Sequence, residues 1–129
     1  MTIRSILIAT FCVFLALPAY AVDKLGPRAT HKAMSAGSLI LVDIRRPDEW
    51  QATGSAKGAL RINMLSANFT TRIKALQASN PGKKIALICQ VGVRSARLSK
   101  DMEAKGLKDL VDVVGGTQLW IDQGLPITR

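Results

Sequence analysis

Cys89 is the residue of this chain best placed to do covalent chemistry. It closes the apolar run Lys84-Ile-Ala-Leu-Ile-Cys89 and opens the loop Cys89-Gln-Val-Gly-Val-Arg-Ser95. A helical pattern, Ala96 to Lys105, follows at once. A thiol at a strand end, facing a helix N-terminus across a glycine-containing loop, lies where partial positive charge collects. Such a field favours the thiolate, and the thiolate is the nucleophile. The bland alternative is an inert core cysteine, which is common.

The elements that must position Cys89 alternate along the chain. Thr30 to Gly37 reads as a short helix, N-capped by Thr30 and ended by Gly37. Ser38 to Ile44 is a nearly continuous apolar run, as expected of a parallel strand covered on both faces. Pro47 opens a second short helix, Gly54 to Gly58 reads as loop, and Ala59 to Asn63 as a short strand. Phe69, Ile73 and Leu76 recur at helical spacing until Asn80-Pro-Gly82 stops them. After the Cys89 loop and its helix come a strand at Leu110 to Val114, a Gly115-Gly116 turn, and a last helix at Thr117 to Gln123. Gly124-Leu-Pro126 then ends the domain. The alternation predicts an α/β fold, a mostly parallel sheet with helices on both faces and its site at the C-terminal strand ends.

The chain has 129 residues, enough for one domain. Its start has the make-up of a secretory signal peptide. Arg4 supplies a basic n-region, Ile6 to Leu17 is uncharged, and Pro18-Ala-Tyr-Ala21 offers small residues to a peptidase. The apolar run is shorter than the ~20 residues a membrane span needs. The expectation is therefore cleavage after Ala21 and release into the periplasm with no stable membrane anchor. Phe11 before Cys12 does not suit lipid attachment. Residues 22–29 are expected to be a lead-in, and 30–129 the domain.

Cleavage would leave Cys89 as the sole cysteine, so no internal disulfide could form. The formal net charge is +9, but the basic residues are scattered from Lys24 to Lys108 with few aromatics among them. A solvated basic surface, able to concentrate small anions, fits better than a nucleic-acid interface. No His/Cys/Asp cluster has metal-ligand spacing, so neither metal nor cofactor is expected.

Four segments, in order, carry a resemblance to a known family. They are Leu41-Val-Asp-Ile-Arg45 with Pro47-Asp-Glu-Trp50, Gly54 to Asn63, Ile88 to Ser95, and Val113 to Trp120 with Gly124-Leu-Pro126. Together they resemble a single-domain rhodanese of the exported type, over about residues 30 to 127. Ser55-Ala56 departs from the family's usual His-Ile pair, and Gln90, Val91 and Val93 are less polar than in many thiosulfate-active members.

The resemblance implies a three-layer α/β/α fold and a thiosulfate sulfurtransferase. Cys89 would take sulfane sulfur from a small anionic donor such as thiosulfate and pass it to cyanide, a thiol or an exported sulfur-accepting protein. Backbone N–H groups from Gln90 through Ser95 would cradle the sulfur anion, Gly92 giving the turn that aims them. Arg94 would add positive charge beside the donor, or be a solvated helix-start arginine. Ser95 would N-cap the following helix and can offer its hydroxyl to the sulfur. Arg97 lines the mouth or is solvated. Arg45 lies near the pocket or serves the fold, Asp43 the fold. Trp50 and Trp120 read as packing, His31 as a surface residue.

Two other classes stay in play. One is a Cys-dependent phosphatase or arsenate reductase. Those loops resemble Cys-x5-Arg, one residue longer than the Cys-x4-Arg here. The other is a non-catalytic sulfur carrier or redox partner, which the apolar loop side chains keep alive.

Overall fold

The structure is a computed structural model that describes residues 12, 13, 15 and 21–129. The signal-peptide expectation for 1–21 lies outside these, apart from the exposed Cys12 and its few described neighbours. Among the described residues no helix is long and apolar enough to cross a membrane.

A five-stranded sheet, every pairing parallel, forms the middle layer. Its strands are β1 (Asp23–Leu25), β2 (Leu39–Asp43), β4 (Leu60–Arg61), β5 (Lys84–Ile88) and β6 (Leu110–Val113), in the order β1-β6-β5-β2-β4. A separate antiparallel ribbon joins β3 (Ser55–Ala56) to β7 (Ile127–Thr128). The helices are α1 (Pro27–Ser35), α2 (Pro47–Thr53), α3 (Phe69–Ser79), α4 (Val93–Ala104) and α5 (Gly116–Asp122).

Strand alternation sorts the core into two layers. Ile85, Leu87 and Cys89 pack with Phe69, Ile73 and Met102, towards α3 and α4. Ala86 and Ile88 pack with Val111, Val113 and Trp120, towards α1 and α5. The expected α/β/α layering is thereby realised. From β2 the chain moves outward to β4, and from β5 it moves the other way to β6. The C-terminal ends of β2 and β5 therefore flank the point where the winding reverses, the usual crevice for a ligand in such sheets. Cys89 and Arg45 follow those two ends.

Several boundaries differ from expectation for local reasons. Residues 22–29 are no lead-in. Asp23, Lys24 and Leu25 pair with Val111, Asp112 and Val113 as the sheet's edge strand. Lys84 also holds Asp23 through an ion pair. Helix α1 starts at Pro27, whose fixed φ suits the first helical position. Thr30 is therefore inside the helix rather than its cap, its hydroxyl donating back to the Gly26 carbonyl at 2.9 Å. The Gly54–Gly58 stretch is not all loop. Ser55 and Ala56 pair with residues beyond Pro126, so the domain runs past Gly124-Leu-Pro126. His31 is half-buried, not a surface residue, and meets Trp120 edge to face with centroids 5.6 Å apart.

Candidate functional site

Cys89 continues the odd-numbered face of β5, so its side chain enters the layer shared with α4. It is 1% exposed. The loop then turns sharply. Gly92 has φ 95°, and a Cβ there would come within 3.0 Å of the Gly115 nitrogen. A side chain would meet both strain and backbone, so glycine is needed. The turn lets α4 begin at Val93, three residues before the sequence suggests, with Gly92 as its N-cap. Ser95 is therefore within the first turn and is not the cap.

This geometry aims N–H groups at the sulfur. The Gly92 N–H donates to Cys89 Sγ at 3.1 Å and the Ser95 N–H at 3.4 Å. Two of the N–H groups expected of the cradle thus converge on one atom, at the positive end of a 12-residue helix. The Ser95 side chain is fully buried, with its hydroxyl oxygen 3.4 Å from the sulfur.

The loop's other side is fixed by α5. The Thr117 N–H and hydroxyl both donate to the Cys89 carbonyl, at 2.8 and 2.9 Å, and the Gln118 N–H donates to the Gln90 carbonyl at 2.9 Å. Gly116 permits this approach. It has φ 62°, and a Cβ would fall 2.6 Å from the Gln90 carbonyl oxygen and 2.7 Å from that of Cys89.

Arg45 is not a substrate contact. It is 0% exposed, and all five of its N–H donors are engaged. Asp43 takes Nε and Nη2, Thr53 and the Gln90 side-chain carbonyl take Nη1, and the Gly54 carbonyl takes Nη2 again. A fully buried pair of this kind ties β2, the end of α2 and the Cys89 loop together. Asp43 has the structural role expected of it.

Arg94 is committed as well. Its guanidinium forms a two-pronged ion pair with Glu49 of α2, at 2.9 and 2.7 Å. The Arg94 hydrogen bond holds the Glu49 carboxyl below its ordinary value of 4.5, against an opposing desolvation effect. Charge from Arg94, Arg45 and Arg46 adds to the lowering. The Glu49 hydrogen bond pushes Arg94 up in turn, with a smaller contribution from the Cys89 sulfur. Arg94 thus enters the site with its guanidinium already held by a carboxylate. A groove of about 330 Å³, lined by Arg46, Glu49, Asn63, Met64, Leu65 and Arg94, lies alongside.

Val91 and Val93 form an apolar rim, 58% and 63% exposed. Trp120 is core and Trp50 is half-buried under the Arg61 guanidinium, so both are packing residues. Among the described residues no cluster of three or more His, Cys, Asp or Glu side chains could hold a metal.

Partners that escaped the sequence reading include Glu49, Thr117 and Asp112, the last accepting from the Ser95 hydroxyl at 2.6 Å. The first two sit within segments singled out for other residues. Asp112 interrupts the apolar run Leu110-Val-Asp-Val-Val114, and a lone acid there was the signal that could have marked it.

Residues 27–123 match the family model described as "Rhodanese-like domain". The chain is 30% identical over 103 residues to "Thiosulfate sulfurtransferase 16, chloroplastic" of Arabidopsis thaliana, covering 74% of this chain and 84% of that protein. It is 29% identical over 94 residues to "tRNA uridine(34) hydroxylase" of Pelagibacter ubique, covering 73% of this chain but only 30% of that larger protein. Among solved structures, a protein of unknown function and possible tyrosine phosphatase from Rhodopseudomonas palustris superposes with a TM-score of 0.66 at 27% identity. That match covers 83% of this chain and 85% of the other.

Two outcomes follow from this geometry. Gly116→Ala would force a methyl group into two carbonyls, and urea unfolding is expected to show a loss of about 2–3 kcal/mol. Unchanged stability would refute the close contact. Because the folded-state value of Glu49 is depressed, its stabilisation is complete above about pH 4.5 and is lost as pH falls through the lower folded value. The stability gap between the parent and Glu49→Gln should be open above that pH and close below it. A gap that is constant with pH would sink the assignment.

Proposed function

This chain belongs to the rhodanese-like family, and on that premise we propose that it is a sulfurtransferase that carries sulfane sulfur on Cys89 as a persulfide. The observation that carries the reading is the pair of N–H groups, from Gly92 and Ser95, aimed at a sulfur that ends a parallel strand.

The reaction runs in two displacements. The Cys89 thiolate attacks the outer sulfur of thiosulfate or a similar donor; a sulfur–sulfur bond forms, the bond to the sulfonate breaks, and sulfite leaves with the electron pair. A thiol or cyanide acceptor then attacks the outer persulfide sulfur, and Cys89 departs as thiolate. The N–H pair and the α4 dipole stabilise negative charge on sulfur in both steps. Because both arginines near the loop already hold carboxylates, these fixed dipoles, rather than a free guanidinium, would carry that role. The short Cys-x4-Arg loop supports a single sulfur over the tetrahedral oxyanion of a phosphatase.

A second reading is a sulfur carrier emptied by a docked protein, which the exposed Val91 and Val93 favour. On either reading the protein acts in the periplasm after export. Support comes from the chain's start and from the edge strand β1, which begins at Asp23, just beyond the expected cut.

Incubation with thiosulfate is expected to add the mass of one sulfur atom to the intact protein, and none to Cys89→Ser. Failure to load from several donors, or aryl-phosphate turnover that depends on Cys89, would reject the sulfurtransferase. Slow turnover with cyanide beside fast transfer to one exported protein would select the carrier. N-terminal sequencing of the protein from its own compartment should begin at Val22; a start at Met1 would reject export with cleavage.

A further inference from the structure

The Ser95 hydroxyl lies between two groups. Its oxygen is 3.4 Å from Cys89 Sγ and 2.6 Å from Asp112 Oδ1, with the Gly92 carbonyl a more distant acceptor at 3.4 Å. A hydroxyl has one proton to give. The short contact to a carboxylate claims it, since charge-assisted hydrogen bonds outweigh neutral ones. Ser95 is then left with lone pairs towards Cys89, and the hydrogen on that contact has to be the thiol's own.

Asp112 is built into the sheet for this contact. It is 2% exposed. Leu110, two residues before it, packs in the same core layer as Cys89, whereas Val111 and Val113 pack in the other. Its register partner on β5 is Leu87, two residues before Cys89. The charged groups around it are few. Lys24 of β1 lies 3.9 Å from the other carboxylate oxygen, with its side chain 67% exposed. Lys100 and Glu103 of α4 line the same cavity of about 310 Å³. Arg94 lies on the loop side, its guanidinium held by Glu49.

We propose that Asp112 is a positioning residue for Cys89: by accepting the Ser95 hydroxyl proton it turns that hydroxyl into an acceptor, which works against the two N–H donors and lowers the thiolate fraction they favour. Removing the carboxylate frees the hydroxyl to rotate and donate to a thiolate instead. The inference rests on Cys89 as the reacting sulfur but on no particular donor, so its failure would leave the sulfur-transfer reading standing.

The test is a pH titration of the ultraviolet thiolate absorbance in the full chain carrying Cys12→Ala, which leaves Cys89 the reporting thiol. Asp112→Asn is expected to give roughly fivefold more thiolate at neutral pH. In a Ser95→Ala background the same change should give less than half that effect, because the hydroxyl it acts through is gone. No increase, or an equal increase in both backgrounds, overturns the proposal. Should Asp112→Asn fail to fold by circular dichroism, the exposed Lys24→Gln decides. Stripping the carboxylate of its cation should lower the thiolate fraction about twofold, and by less than half as much in the Ser95→Ala background. An unchanged or raised fraction, or the same fall without Ser95, overturns it.

Discussion

The site depends on one backbone contact. The Cys89 and Gln90 carbonyls, leaving the end of β5, are taken up by the first N–H groups of α5 and by the Thr117 hydroxyl. Those carbonyls would otherwise be buried without partners, a cost comparable to a lost hydrogen bond each. With the carbonyls drawn to one side, the following N–H groups turn to the other, where the sulfur lies. The close approach leaves no room for a Cβ at Gly116 and little at Gly92. The segment after β6 thus orients the loop after β5, and the glycine pair at residues 115 and 116 belongs to the site as much as Cys89 does.

Charge is arranged with similar economy. Two arginines stand close to the loop, and each is held by an acid: Arg45 by Asp43 at full burial, Arg94 by Glu49 at the rim. Breaking the inner pair by removing one partner would strand a buried charge, whereas the rim pair is partly screened by water. The inner pair also fixes the Gln90 side chain, so the loop is braced from β2 as well as from α5.

Much of this was legible in the sequence. α3 and β5 run over the residues their patterns suggest, Phe69–Ser79 and Lys84–Ile88, because each has a clean apolar period and a clear stop. Cys89 was legible because strand, loop and helix meet there without an intervening linker. What was hidden depends on distant partners. β1 is three residues long and becomes a strand only by lying beside β6. β3 and β7 are two residues each and are joined only through the fold. The start of α4 was misread because Ser95 looks like a cap, whereas a left-handed Gly92 performs that task and releases the serine inward. Arg45 was ambiguous for the same reason: nothing local shows that Thr53, Gly54 and Gln90 converge on one guanidinium.

The depth of Cys89 has a consequence for the direction of attack. With only 1% of the residue exposed, Sγ is walled in by Gly92, Ser95 and the α4 turn. A second sulfur bonded to it would stand about 2 Å further out, on the side away from those groups. An incoming nucleophile would then meet the terminal sulfur while the inner one stays shielded. Attack on the inner sulfur would produce a mixed disulfide and lose the cargo as sulfide; attack on the outer one hands the cargo over. On the proposed sulfur-transfer reading, burial of a single atom would thereby act as a regiochemical filter, separating productive delivery from self-inactivation.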